Sequence, residues 1–334
     1  MTAGESRSVV PRGAAGGDSL LGERGESLAW IFGSSRSGST WLLRMLSQLH
    51  AVVPVDDPHI GHHLGVWRPI PLAWATAEEL PQLRTLGDYK RDKRDYLFSD
   101  RYREQWLPAL RDLISTRLEA QAREDAIARQ IGRPQVVIKE PASHVADLLT
   151  ELFPASRLIF LLRDGRDVVD SWLDAYREGT WATEGGAYPV AEDGRLALIR
   201  WQSSVWLKRT EVMQETFEAT DPGRRLMIRY EHLRAHPAAA LQEACELLGV
   251  SESEHRLHAI ANANVYERVP VGERGEGREI RRAKPGGWQE TMTRREIAAM
   301  HAILAPKLLE LGYLERPPEE PAAGGDPLGG SRAA

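Results

Sequence analysis

Apolar residues along this chain follow two rhythms. Short unbroken runs at 28–32, 136–138, 158–162 and 226–228 lack the alternation of a half-solvated strand, and they read as strands buried on both faces of a sheet. Between these runs apolar positions recur every three or four residues. That spacing predicts helices over 40–49, 143–152, 164–176 and 238–248, and a longer one over 196–217 through Ile199, Val205, Trp206 and Val212. Strands alternating with helices are the mark of crossover units in a parallel sheet, so the expected fold class is α/β: three layers, with a central parallel sheet flanked by helices.

Residues 59–130 depart from this rhythm. They show no strand signal and carry Trp67, Trp74 and Trp106 among charged helical stretches, so they read as a mainly helical lid insertion. The ends are expected to be flexible tails, 1–26 through its small polar residues and 316–334 through its proline, glycine and alanine. One domain over 27–315 remains, with no internal repeat.

Composition then removes several classes. Of the 334 residues 42% are hydrophobic and 27% charged, enough apolar material for a large core. A formal charge of −5 argues against a non-specific nucleic-acid binder, so any anion site must be local. Cys245 is the single cysteine, which excludes an intrachain disulfide framework and a multi-cysteine zinc site and fits a reducing compartment. No apolar run approaches the roughly 18 residues of a membrane span, and 1–26 does not look like a signal peptide, so a cytoplasmic location is expected.

The strongest chemical signal follows the first strand. Gly33-Ser-Ser-Arg-Ser-Gly-Ser-Thr40 joins that strand to a helix, a place where loop and helix N–H groups converge on a phosphate. The Walker A rule puts a lysine where this chain has Ser39. Positive charge sits inside the loop instead, at Arg36, whose planar guanidinium can bind two oxygens of a phosphoryl or sulfuryl group. A P-loop-type fold with a donor other than ATP or GTP is therefore expected.

Ser35-Arg-Ser-Gly-Ser-Thr-Trp41 resembles the 5′-phosphosulfate loop of sulfotransferases that use 3′-phosphoadenosine-5′-phosphosulfate (PAPS). The resemblance implies that Arg36, Ser37, Gly38, Ser39 and Thr40 surround the phosphosulfate and that Trp41 stacks on adenine. For Trp41 an ordinary core position stays open. A second segment, Arg157 to Ser171, is similar to the family's 3′-phosphate motif and assigns Arg163 and Ser171 to that phosphate, while its acidic residues suit a helix cap or salt bridges. Near the end, Arg281-Arg-Ala-Lys-Pro-Gly-Gly-Trp288 resembles the basic loop over the nucleotide, with Arg281 and Arg282 at phosphate-contacting positions. Ala283 and Gln289 depart from the pattern. Tyr230 matches a position beside adenine, with a capping core tyrosine as the alternative.

The same resemblance implies sulfuryl transfer from PAPS to a hydroxyl or amine of a small-molecule or glycosylated acceptor. Arg36 and Lys139 would stabilise the charge that develops, and no metal is expected. One branch of the family carries a histidine base just after this lysine, where the present chain has Pro141. Other branches carry a carboxylate just beyond the first helix, where this chain has Val55-Asp-Asp-Pro-His-Ile-Gly-His-His63, so the resemblance implies a base at Asp57, 21 residues after Arg36, with His59, His62, Glu140 and His144 as alternatives. Trp67, Trp74, Trp172 and Trp181 would suit an aromatic acceptor. Oligomeric state is left open, a homodimer included. Two other readings also stand: a nucleotide-dependent kinase on the same fold, and a non-catalytic module that binds the product nucleotide PAP or a sulfated ligand.

Overall fold

A computed structural model describes residues 19–70, 82–281 and 283–316. Its strands are β1 (Leu28–Phe32), β2 (Val52–Asp56), β3 (Trp67–Ile70), β4 (Gln82–Thr85), β5 (Gln135–Glu140), β6 (Arg157–Leu162) and β7 (Arg225–Arg229). Helices in the first half are α1 (Ser39–Leu46), α2 (Ile60–Leu64), α3 (Leu86–Lys90), α4 (Arg103–Ala128) and α5 (Ala146–Leu152). The second half adds α6 (Gly165–Ala175), α7 (Trp181–Glu184), α8 (Arg195–Ala219), α9 (Tyr230–Ala235) and α10 (Pro237–Leu248). It ends with α11 (Glu254–Ala263), α12 (Trp288–Thr291) and α13 (Arg294–Glu310).

Five parallel strands form one sheet in the order β2-β5-β1-β6-β7. All five residues of β1 are buried, because helices cover both faces and leave no solvated side. Side chains alternate between those faces. Trp30, Phe32, Val53, Ile138, Leu158 and Phe160 enter one core with residues of α4, α5, α6, α8 and α13. Ala29, Ile31, Val52, Val137, Ile159 and Leu161 enter the other with residues of α1, α10 and α11. The three-layer α/β reading is therefore correct.

Three local expectations change. β2 is an additional strand: Pro54 interrupts its apolar run and carries no N–H, a defect tolerated because β2 lies at the sheet edge. Within 59–130, β3 and β4 pair antiparallel from Trp67↔Thr85 to Ile70↔Gln82, so this region is not strandless. Four-residue strands containing Arg68, Pro69 and Arg84 give almost no periodic signal. Within the same block α4 buries Ile114, Leu118, Ala122 and Ala126 in the main core, and it carries the chain between the edge strand β2 and its neighbour β5. At the amino end, Leu21 is 1% exposed in that core, so packing begins before residue 27.

Candidate active site

β1 is central, with β5 and β2 on one side and β6 and β7 on the other, so the loop after it opens at the carboxyl edge where the connections diverge. Gly33 is required there, since a Cβ would stand 2.4 Å from the Leu161 carbonyl oxygen. Arg36 and Gly38 both adopt left-handed backbone, with φ of 74° and 90°. At Gly38 a Cβ would also lie 2.7 Å from the Tyr230 ring. These turns deliver the chain to Ser39, the first residue of α1, whose N-terminal N–H groups lack intrahelical acceptors.

Several separate segments meet this loop on one side. Arg163, leaving β6, donates from Nη1 to the Arg36 carbonyl at 2.7 Å and lies over the Tyr230 ring at 4.3 Å. Its Nε is buried and has no hydrogen-bond partner among the described residues, an arrangement that an anion would complete. Arg36 donates from Nε to Ser171 Oγ at 3.0 Å and from Nη2 to the Glu279 carbonyl, and its guanidinium stacks on Trp181 at 5.1 Å. Burial pushes the Arg36 guanidinium down to about 10, with Glu279 opposing, which leaves it charged at neutral pH. Arg36, Trp41, Arg163, Ser171, Tyr230 and Arg281 line a single cleft.

On the other side, Lys139 at the end of β5 is 4% exposed and donates to Thr40 Oγ1 at 2.7 Å. It also lies 2.6 Å from Asp56 and 3.0 Å from Asp57 Oδ2. Asp57 follows the last residue of β2 in left-handed backbone, φ 46°, with its N–H on the Lys139 carbonyl at 3.2 Å. Its Oδ1 is buried without a partner among the described residues. One lysine thus ties a carboxylate with a free lone pair to the phosphate-loop hydroxyl.

The alternative bases sit differently. Glu140 is fully buried, and its two oxygens accept from the backbone N–H groups of Ile60 at 2.8 Å and Ala142 at 3.1 Å. Burial raises its pKa, and the N–H bonds oppose that. His144 is 3% exposed, with Nε2 2.7 Å from the Gly65 carbonyl and its ring 4.1 Å from that of Trp67. Burial and then the Arg209 charge drive its pKa down to about 3, so it stays neutral. His62 lies on the surface, 5.4 Å ring to ring from His59, and partial desolvation by its neighbours, then the Arg209 charge, lower its pKa.

Other expected residues fall as follows. Ser39 and Thr40 line the cleft, whereas Ser37 does not and is 1% exposed with its Oγ unpartnered among the described residues. Trp41 lines it too, with Nε1 donating to the Asn264 carbonyl at 2.7 Å and its ring edge-on to Tyr230. Arg282 and Trp74 lie outside the described residues. Trp172 stacks on Tyr176, away from the cleft lining. Asp164 caps α6 through the Arg166 N–H and pairs with the Arg166 guanidinium, so a cap and a salt bridge both exist, and both are buried.

Three cations were not anticipated from the sequence. Arg44 and Arg234 line the cleft one helical turn beyond Thr40 and Tyr230, a spacing that could have flagged them. Arg209, 4% exposed on α8, donates to Ser35 Oγ at 3.0 Å and gave no sequence signal. Among the described residues no group of three His, Cys, Asp or Glu side chains is placed to hold a metal, and no helix is long and apolar enough to cross a membrane.

The family model described as "Sulfotransferase family" matches residues 29–254, a span holding the phosphate loop, Lys139, Arg163, Ser171 and Tyr230. The chain belongs to the sulfotransferase family. Among curated relatives, it is 24% identical over 184 residues to protein-tyrosine sulfotransferase A of Caenorhabditis elegans. That match takes in 54% of this chain and 45% of the relative, so less than half of the relative's length is represented. Solved sulfotransferase structures are similar at low identity. Mouse SULT7A1 complexed with PAP aligns over 86% of this chain and 87% of its own, at 12% identity and a TM-score of 0.49. A sulfotransferase from Alicyclobacillus acidocaldarius aligns over 85% and 94%, at 16% identity and a TM-score of 0.44.

Proposed function

We propose that this sulfotransferase takes PAPS as its donor and moves the sulfuryl group to a hydroxyl or amine of a small-molecule or glycosylated acceptor. The observation that carries the reading is the meeting of Arg163, Ser171 and Arg36 beside a buried guanidinium nitrogen that has no partner among the described residues. A nucleotide with a 5′-group alone would need one cationic anchor beside the loop. This cleft has a second, supplied by the strand end of β6 and one face of α6.

In the reaction the acceptor oxygen or nitrogen forms a bond to sulfur as the bond from sulfur to the phosphate oxygen breaks, and PAP leaves. Arg36 and Lys139 would offset negative charge on the sulfuryl and leaving oxygens, where fixed cations are most effective. Asp57 would take the acceptor proton on Oδ1, while Lys139 holds Oδ2. Trp67 beside neutral His144, and Trp181 under Arg36, offer flat apolar surface on which an aromatic or sugar acceptor could stack.

Incubating the protein with radiolabelled PAPS and a panel of phenols, steroids, amines and glycosides tests this reading. At least one acceptor should gain label while PAP accumulates in equal amount. Tight PAP binding with no labelled product from any acceptor would instead favour a binding module.

A further inference from the structure

Helix α6 carries Asp167, Asp170 and Asp174, spaced so that all three lie on one face. They are 2%, 2% and 8% exposed, an expensive place for carboxylates unless each is paired. Every one is paired with the segment of chain on either side of residue 282. Asp174 Oδ2 accepts the Gly277 N–H at 2.9 Å. Asp167 Oδ2 accepts the Gly286 N–H at 2.8 Å. Asp170 pairs through Oδ2 with the Arg281 guanidinium, which also reaches the Asp170 carbonyl at 3.2 Å, and through Oδ1 it accepts from Thr291 Oγ1 at 2.5 Å.

Arg281 lines the same cleft as Arg163 and Ser171, and Ser171 is the residue after Asp170. One turn of α6 therefore presents a cleft-lining hydroxyl and fixes the direction of a cleft-lining cation. We propose that Asp170 is a positioning residue, which sets the Arg281 guanidinium on the wall where a 3′-phosphate binds, while Asp167 and Asp174 pin the flanking backbone. This rests on the reading of the cleft as a PAPS site. Pairing a cation with a carboxylate weakens its pull on an anion, yet it removes the ordering cost that a free arginine meets on binding. The glycine contacts point the same way: Gly277 and Gly286 have φ of 73° and 76°, and their amides are held by side chains rather than by a strand ladder.

Calorimetry on the full chain tests the aim of Arg281. PAP should bind Asp170→Asn about tenfold or more weakly than the unaltered protein, and Arg281→Gln similarly. The double variant should be no worse than Arg281→Gln alone, because the two residues act as one unit. Adenosine 5′-phosphosulfate, which has no 3′-phosphate, should change by less than about threefold in all of them. Unchanged PAP affinity in Asp170→Asn, or losses that multiply in the double variant, would overturn the proposal.

Hydrogen exchange at residue resolution, without nucleotide, tests the pinning separately. The Gly277 amide should exchange at least about tenfold faster in Asp174→Ala, and the Gly286 amide in Asp167→Ala, since alanine removes the accepting oxygen. Unaltered exchange in both refutes the pinning whether or not any nucleotide binds, whereas faster exchange in a protein that ignores PAP would sink only the donor reading.

Discussion

Asp57→Asn is expected to lower sulfuryl transfer by about 10²- to 10⁴-fold, the usual scale for a lost general base, while donor affinity is kept. Asparagine preserves the shape of the side chain and suits the left-handed backbone at this position, φ 46°, so the turn after β2 should survive. What it lacks is an oxygen that can take a proton. Asp57 keeps one carboxylate oxygen unpartnered among the described residues while Lys139, which also donates to Thr40 of the phosphate loop, holds the other at 3.0 Å; His144 likewise keeps Nδ1 unpartnered. Glu140 uses both oxygens on backbone N–H groups, and His144 is held neutral with one nitrogen against a carbonyl. Parallel Ala substitutions at His59, His62, Glu140 and His144 make the measurement comparative. Near-normal turnover in Asp57→Asn with collapse in one of the others would move the base to that residue.

A second large effect is expected at Arg163. Replacing it with alanine removes the cation whose Nε is buried with no partner among the described residues, and a phosphate bound there would lose roughly 2 to 5 kcal/mol. That is about 30- to several-thousandfold in the Kd for PAP. Binding of adenosine 5′-phosphosulfate should change little. Arg163 also donates to the Arg36 carbonyl at 2.7 Å and stacks on Tyr230, so a purely structural role predicts a different pattern. In that case the loop loosens and both ligands weaken together, and a calorimetric comparison of the two nucleotides separates the outcomes.

Much of this arrangement was legible in the chain. β1, β5 and β6 are unbroken apolar runs because they are buried on both faces, and such runs survive any choice of window. The phosphate loop was legible through two glycines and an arginine between a strand and a helix. β2 was hidden by Pro54, and with it went a contact that matters: the register pairing Asp56 with Lys139 is what brings Asp57 to the lysine. The interval between Arg36 and Asp57 gave no hint of how the chain brings Asp57 beside Lys139. The three acids of α6 could be seen as one helical face, yet their partners lie more than a hundred residues on, where no local pattern reaches. Arg209 is the opposite case, since a lone arginine in a long helix looks solvated until the tertiary fold buries it.

The central claim is that the cleft recognises an adenosine nucleotide by its 3′-phosphate as well as its 5′-group. Thermal unfolding of the full chain with equal concentrations of PAP, ATP and GTP tests it without knowledge of the acceptor. Preferential binding to the folded state stabilises by about 2.7 kcal/mol when ligand is a hundredfold above Kd, and the shift grows with concentration. PAP should raise the midpoint strongly, and ATP and GTP should raise it far less. Equal shifts with all three nucleotides, or none with PAP, would contradict the account.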